Sequence, residues 1–249
     1  MRKPFQGIVN IIRFNWHFYF LSLGLSLLLI LIANYCQNQL RLYLYLVCLL
    51  ITVPIFISLL VSFYIYDLSG LYNFNWIEQQ NMQGTIVNIN AGFDETSSII
   101  KDRFKNAELI VLDFYDPLKH TEISIKRARK AYPPFNGTKQ VETNYLPFEN
   151  DSVNKIFVIF SAHEIRNENE RIVFFRELKR IIKPTGQIFI TEHLRDMANF
   201  LAYNIGAFHF YSKESWHKTF EKTDLKIKNE IKFTPFISTF ILYKNGNTL

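Results

Sequence analysis

TIVNINAGFDETSSIIKDRFKNAELIVLDFYDP, residues 85–117, reads as strand, tight loop, helix, strand. Ile86, Val87 and Ile89 form a short apolar run, which Asn90, Ala91 and Gly92 break. A helical segment follows from about Glu95 to Phe104, with Ile99, Ile100 and Phe104 on one face. Leu109, Ile110, Val111 and Leu112 make a second apolar run that ends on Asp113. Short runs of this kind are strands buried on both faces of a parallel sheet. A small-residue turn after the first strand lets backbone approach a ligand closely. An acidic residue at the end of the next strand is placed to hydrogen-bond ribose hydroxyls. The stretch is expected to be the nucleoside-binding half of an α/β fold.

Two cofactor classes share that design. The dinucleotide fingerprint needs three glycines in G-x-G-x-x-G, and only Gly92 is present. The stretch instead resembles motifs I and II of the class I S-adenosylmethionine-dependent methyltransferases, in which a strand and an acidic residue precede a G-x-G-x-G loop. Laid on that pattern, Asn88 replaces the acidic residue, Asn90 the first glycine and Asp94 the third. Asn tolerates the left-handed backbone region better than most residues. The resemblance implies S-adenosylmethionine as cofactor, held by the loop from Asn88 through Asn90, Ala91 and Gly92, by Asp113 on the ribose, and by Phe114 packed beside the adenine.

The resemblance continues downstream. VETNYLPFENDSVNKIFVIFSAHEI, residues 141–165, is similar to the D-A-x-x-L-P-F segment, polar turn and S-F-D-x-V strand of type 11 and ubiquinone/menaquinone C-methylating members. Glu142 and Thr143 fall on the D-A pair beside the adenine, and Leu146, Pro147, Phe148 and Ser152 match outright. Ser161 closes the strand at the cofactor cleft, and His163 falls on the family's histidine region at the mouth of the methyl-donor site. FFRELKRIIKPTGQIFITE, residues 174–192, resembles the family's helix, K-P-G-G turn and fifth strand. The helix from Arg166 to Ile182 is expected to turn Ile172, Val173, Phe175, Leu178 and Ile181 inward, and Glu168, Glu170, Arg171 and Lys179 outward. Residues 193–216 carry many aromatics and correspond to the family's substrate lid. Leu225 to Lys232 and Phe236 to Tyr243 read as two β segments joined too closely for a helical crossover. The expected fold is therefore a seven-stranded Rossmann-like sheet whose last strand is antiparallel.

The start of the chain is of another kind. Residues 1–15 are short and basic, with Arg2, Lys3 and Arg13. Two apolar runs follow, about 16–35 and 42–66, separated by a polar link. Each is long enough to cross a bilayer, which takes about 20 residues. Trp16, Tyr19, Tyr35, Tyr43 and Tyr64 sit near their ends, as interfacial aromatics do. His17 reads as another interfacial residue, and Pro54 predicts a kink in the second run. A cleaved signal segment would need a small-residue cleavage site, which is not seen. A buried soluble hairpin is opposed by the length of both runs. Three of the four Lys/Arg of residues 1–72 precede the first run, which puts the N-terminus on the cytoplasmic side. Two crossings return the chain there, so a multi-pass protein of the cytoplasmic membrane is expected, with its soluble domain, residues 85–249, on the cytoplasmic side. Residues 73–84 read as a linker, and Leu71, Phe74, Trp76 and Ile77 suggest docking on the membrane surface or on the domain.

Composition narrows the function. The chain has 249 residues, 49% of them hydrophobic and 16% aromatic, with a formal charge of +6. Half of that excess lies in residues 1–72, so the soluble part is near balance and does not read as a nucleic-acid binder. KHTEISIKRARK, residues 119–130, is a solvated basic helix or a contact for anionic headgroups. Cys36 and Cys48, both in the apolar region, suggest neither a disulfide framework nor a zinc site, and no metal ligand set is read. Methyl transfer needs few catalytic side chains, because the cofactor carries the hard chemistry and the protein positions donor and acceptor. For a phenol, enol or amine acceptor a base helps; His163 is the candidate, with Glu164 and Glu192 behind it. The leading expectation is a membrane-anchored methyltransferase whose partners are the lipid bilayer and a lipophilic small molecule. A tethered enzyme with a soluble or protein substrate, and a degenerate domain that binds cofactor or partner without turnover, stay open beside it.

Overall fold

β1 (Gly84–Asn90) owes its burial to its place in the middle of the sheet: from Ile86 to Asn90 no residue is exposed. In the computed structural model, which describes residues 3–77, 83–120 and 122–244, seven strands form one sheet in the order β3-β2-β1-β4-β5-β7-β6. The others are β2 (Ala107–Asp113), β3 (Lys139–Gln140), β4 (Val153–Ile159), β5 (Ile182–His193), β6 (Leu225–Thr234) and β7 (Ile237–Lys244). The pairs among β3, β2, β1, β4 and β5 are parallel, while β7 runs antiparallel to both β5 and β6. The seven-stranded sheet with its antiparallel last strand is as the residue pattern implied. Its strand order reverses at β1, so the connections leaving β1 and β4 turn to opposite faces of the sheet and leave a crevice at the strands' C-terminal ends, where open α/β sheets take ligands.

Helices α3 (Ser97–Arg103), α4 (Ile123–Ala131) and α5 (Glu168–Ile181) flank the sheet; α6 (Met197–Tyr203) and α7 (Lys213–Lys222) follow β5. One face of the sheet packs Val87, Ile89, Val158 and Ile190 against Phe174, Phe175 and Leu178 of α5. The other packs Ile86, Phe157 and Phe189 against Ile100 and Phe104. The inward face of α5 differs from expectation at two positions. Val173 is exposed, and Arg171 is buried. Arg171 shares the i, i+3, i+4, i+7 stripe with Phe174, Phe175 and Leu178, so it must face in. Its guanidinium lies 4.1 Å over the Tyr211 ring and donates to Ile165 O and Thr219 Oγ1, which supplies the partners a buried cation requires.

The two apolar runs are helices, α1 (Gln6–Tyr35) and α2 (Asn38–Phe63), and most of their apolar surface is uncovered. α1 begins ten residues before the expected span, and its backbone leaves helical geometry at Asn15. α2 continues through Pro54. Before Asn15, α1 lies on the body of the protein: Gly7, Asn10 and Phe14 are buried. α2 ends in one turn of π-helix, Tyr64–Leu68, from which Asp67 accepts hydrogen bonds from the free N–H groups of Gly7 and Ile8, each at 2.8 Å. A Cβ on Gly7 would lie 2.4 Å from Tyr66 Cβ, so only glycine permits this approach. The stretch read as a linker, 73–84, begins inside the core: Phe74 and Ile77 are buried with Ile86, Phe157 and Phe189. Its middle, residues 78–82, and the last residues of the expected domain, 245–249, lie outside the described residues.

Candidate functional site

Two cavities open at the C-terminal ends of the strands. The larger, about 750 Å³, is lined by Phe114, Tyr115, Val141, Glu142 and Thr143 among others. The smaller, about 120 Å³, is lined by Asn88, Asn90, Ala91, Phe93, Phe160 and Glu164 among others. Gly92 and Asp113 are in neither lining; Asp113 is paired in register with Asn90. The structure thus places Phe114, Glu142 and Thr143 at one cavity, and Asn88, Asn90, Ala91 and Glu164 at the other. Ser161 lies apart from both linings; its hydroxyl donates to Ile89 O at 2.9 Å and ties the end of β4 to β1.

The three departures from the glycine loop each have a local reason. Asn88 Nδ2 donates to Thr96 Oγ1 and Ser97 Oγ, anchoring the start of α3 under the loop. Asn90 Oδ1 accepts from Gly92 N, which shapes the turn. Asp94 Oδ1 accepts from Thr96 N and Ser97 N, satisfying two amides at the start of α3. Gly92 sits at φ 95°, where side chains are rare. Asn90 Nδ2 is buried and, among the described residues, has no hydrogen-bond partner. A donor left over in a cavity wall is what a bound polar ligand would use.

Asp113 is not free. Its Oδ1 accepts from Tyr115 N, and its Oδ2 pairs with Arg129 Nη1 at 2.5 Å. Sequence reasoning read Arg129 only as part of a basic helix; nothing local signals that it reaches back to the strand end. A Cβ on Gly92 would meet Arg129 at 2.8 Å, so the guanidinium lies directly against the glycine loop.

Beyond the smaller cavity, His163 Nδ1 lies 2.6 Å from Glu192 Oε2, and its Nε2 lies 3.2 Å from Glu164 Oε1. Burial disfavours charge on this ring, but Glu192 and Glu164 outweigh it and raise its pKa to about 10. The same two carboxylates fix the ring in place, Glu192 through Nδ1 and Glu164 through Nε2. Burial raises Glu164, but His163 and His209 hold it below the usual carboxylate range. His209, which sequence reading passed over, comes from the lid.

The hairpin base closes the site from the side. Glu95, in the wall of the smaller cavity, accepts from Gln6, Asn10 and Tyr72. Tyr132 donates to Asn10, and Arg127 donates to Phe14 O and lies 2.7 Å from His17 Nδ1. Tyr66 OH lies 2.8 Å from His193 Nε2, with Phe160 and Phe210 stacked on the imidazole. Phe160 holds φ 51°, a strained conformation for an aromatic residue, at a cavity wall where such strain collects.

Strand order, reversal at β1 and the antiparallel β7 decide the fold, and solved structures share it. This is the class I methyltransferase fold. A methyltransferase described as S-adenosylmethionine-dependent, from Aquifex aeolicus, superposes with TM-score 0.53 at 15% identity, over 76% of this chain and 97% of that one. An O-methyltransferase family 2 protein from Planctomyces limnophilus, solved with apigenin, gives 0.52 at 13% identity, over 77% and 62%. The PH0226 protein of Pyrococcus horikoshii gives 0.50 at 14%, over 67% and 84%. No protein-family model and no curated protein sequence matches the chain.

Proposed function

We propose that this chain is a membrane-anchored S-adenosylmethionine-dependent methyltransferase that acts on a lipophilic, membrane-resident small molecule. The observation that carries the reading is the shared wall: the base of the hairpin, through Asn10, Tyr66 and Tyr72, lines or braces the same crevice that the strand ends form. Phe114, Glu142 and Thr143 would hold the nucleoside end of the cofactor, and the Asn90–Gly92 loop with its spare amide donor would hold the other. The cofactor supplies an electrophilic methyl group when bound. The protein aligns the acceptor and excludes water.

The lid supports an apolar acceptor. It packs on α2 through Tyr203 and Ser62, while Leu201, Ile205 and Phe208 are 65%, 82% and 62% exposed. Exposed apolar side chains beside two uncovered apolar helices suit a surface sunk into the headgroup region. α1 and α2 would cross the cytoplasmic membrane, with the basic residues before α1 keeping the body in the cytoplasm.

A second reading, a domain that binds cofactor or partner without turnover, is favoured by one observation: the Arg129–Asp113 pair already occupies the ribose carboxylate. The test uses the full chain in liposomes and in detergent micelles, with methyl-labelled cofactor and extracted membrane lipids. Label in the organic phase supports the leading reading. Label found only in soluble metabolites or protein removes the lipid acceptor. Cofactor binding by calorimetry without any transfer supports the second reading.

A further inference from the structure

His163, Glu164 and His209 bring three donor atoms together within 4.8 Å of one another. His163 Nε2 and Glu164 Oε1 are 3.2 Å apart, and Glu164 Oε1 and His209 Nε2 are 3.9 Å apart. Ligands of a tetrahedral ion with bonds of about 2.0–2.1 Å stand about 3.3 Å from one another. A small inward shift of His209 would meet that geometry.

The outer partners are arranged in the same sense. Each imidazole has its Nδ1 against a carboxylate: His163 on Glu192 at 2.6 Å, His209 on Glu122 at 3.0 Å. That leaves both Nε2 atoms turned to Glu164. A carboxylate on the far nitrogen is how metal-binding histidines are oriented and made better donors. The cluster is also matched in charge. With neutral imidazoles, the three carboxylates Glu122, Glu164 and Glu192 and the one guanidinium of Arg166 sum to minus two. In the structure Arg166 takes part of that charge: it donates to His209 O, lies against the ring nitrogens of His209, and is 3.8 Å from Glu122. Arg166 is exposed, and metal binding would have to displace it from the His209 ring.

We propose that His163, Glu164 and His209 form a binding site for a divalent first-row transition-metal ion such as zinc, with Glu192 and Glu122 orienting the two imidazoles. Two imidazoles and one carboxylate select such ions over magnesium or calcium, which prefer all-oxygen shells. Glu164 also lines the smaller cavity, so the site borders it. The ion would join the turn after β4 to the lid segment that carries His209. This site does not rest on the methyl-transfer reading.

The test is cobalt titration of the untagged full chain in detergent after chelator treatment, followed by visible ligand-field absorption, with zinc competition. One equivalent should bind with the bands of a four- or five-coordinate site, and zinc should displace it. His209→Ala should abolish the bands. Glu122→Gln, an exposed change that leaves the core intact, should weaken binding about tenfold, the low end for loss of an outer partner. Arg166→Gln should tighten it, which a purely structural network would not do. Absence of bands in folded wild type, or bands unchanged in folded His209→Ala, overturns the site. Should His209→Ala fail to fold, unchanged affinity in Glu122→Gln overturns it instead.

Discussion

Arg129 Nη1 stands 2.5 Å from Asp113 Oδ2, and the same guanidinium lies 4.3 Å over the Tyr115 ring. A carboxylate that would receive a ribose is thus already paired, by a cation that is itself one-third exposed. Cofactor binding must exchange one partner for the other. The carboxylate is buried but the guanidinium is one-third exposed, and ribose hydroxyls would take its place, so the exchange costs about 1 kcal/mol. Arg129→Met should therefore tighten S-adenosylmethionine binding up to about fivefold in calorimetry of the full chain. Asp113→Ala should weaken it by about 1.5–3 kcal/mol. Weaker binding in Arg129→Met would show that the guanidinium holds the ligand and does not compete with it.

Two glycines of α1 should respond oppositely to the same change. A Cβ on Gly7 would collide with Tyr66 and Asp67, whereas one on Gly24 meets nothing within 4 Å. Gly7→Ala should lower stability by about 1–3 kcal/mol, as overpacking does. Gly24→Ala should be neutral or slightly stabilising. Melting of both variants in one detergent checks this; equal melting temperatures would mean that the first turn of α1 does not dock.

His193 should make stability depend on pH. Burial among Phe160, Tyr203 and Phe210 lowers its pKa to about 4, against the hydrogen bond to Asn199, which acts the other way. The folded value lies below the ordinary 6.5, so folding favours the neutral ring. Its contribution is complete above pH 6.5 and is lost as pH falls from 6.5 through 4. The loss is on the order of 3 kcal/mol. Wild type should lose more melting temperature than His193→Gln between pH 7 and pH 4.5, and parallel curves would remove the effect.

Arg171 should resist its nominally conservative replacement. Arg171→Lys keeps the charge but loses the planar stack on Tyr211 and the forked donation to Ile165 O and Thr219. A loss of about 1–2 kcal/mol is expected in denaturant melts. No change would place the side chain outside the core.

The strands were legible because each is a short apolar run between breakers, and a strand covered on both faces has no other pattern. The Leu146-Pro147-Phe148 segment and the turn after α5 added order along the chain. What was not legible has a common cause. Asn10, Arg129 and His209 act on partners far along the sequence, Glu95, Asp113 and Glu164, and carry no local mark of doing so. Arg171 was read outward from its charge when its spacing placed it inward. Asp94 and Asn88 looked like losses from a glycine loop, yet each satisfies groups at the start of α3. The position of His163 in the sequence does not reveal Glu192 at its Nδ1, which comes from the next strand.

The hairpin has a consequence for handling the protein. Asp67 clasps the first turn of α1 to the end of α2, and Phe74 and Ile77 complete the core under β1. Among the described residues, the apolar hairpin and the body that carries the sheet therefore pack as one folding unit. A fragment made soluble by deleting the first 80 residues would expose the underside of its own sheet and lose the brace on Glu95. The hairpin is thus a structural part of the sheet domain and not a detachable tail.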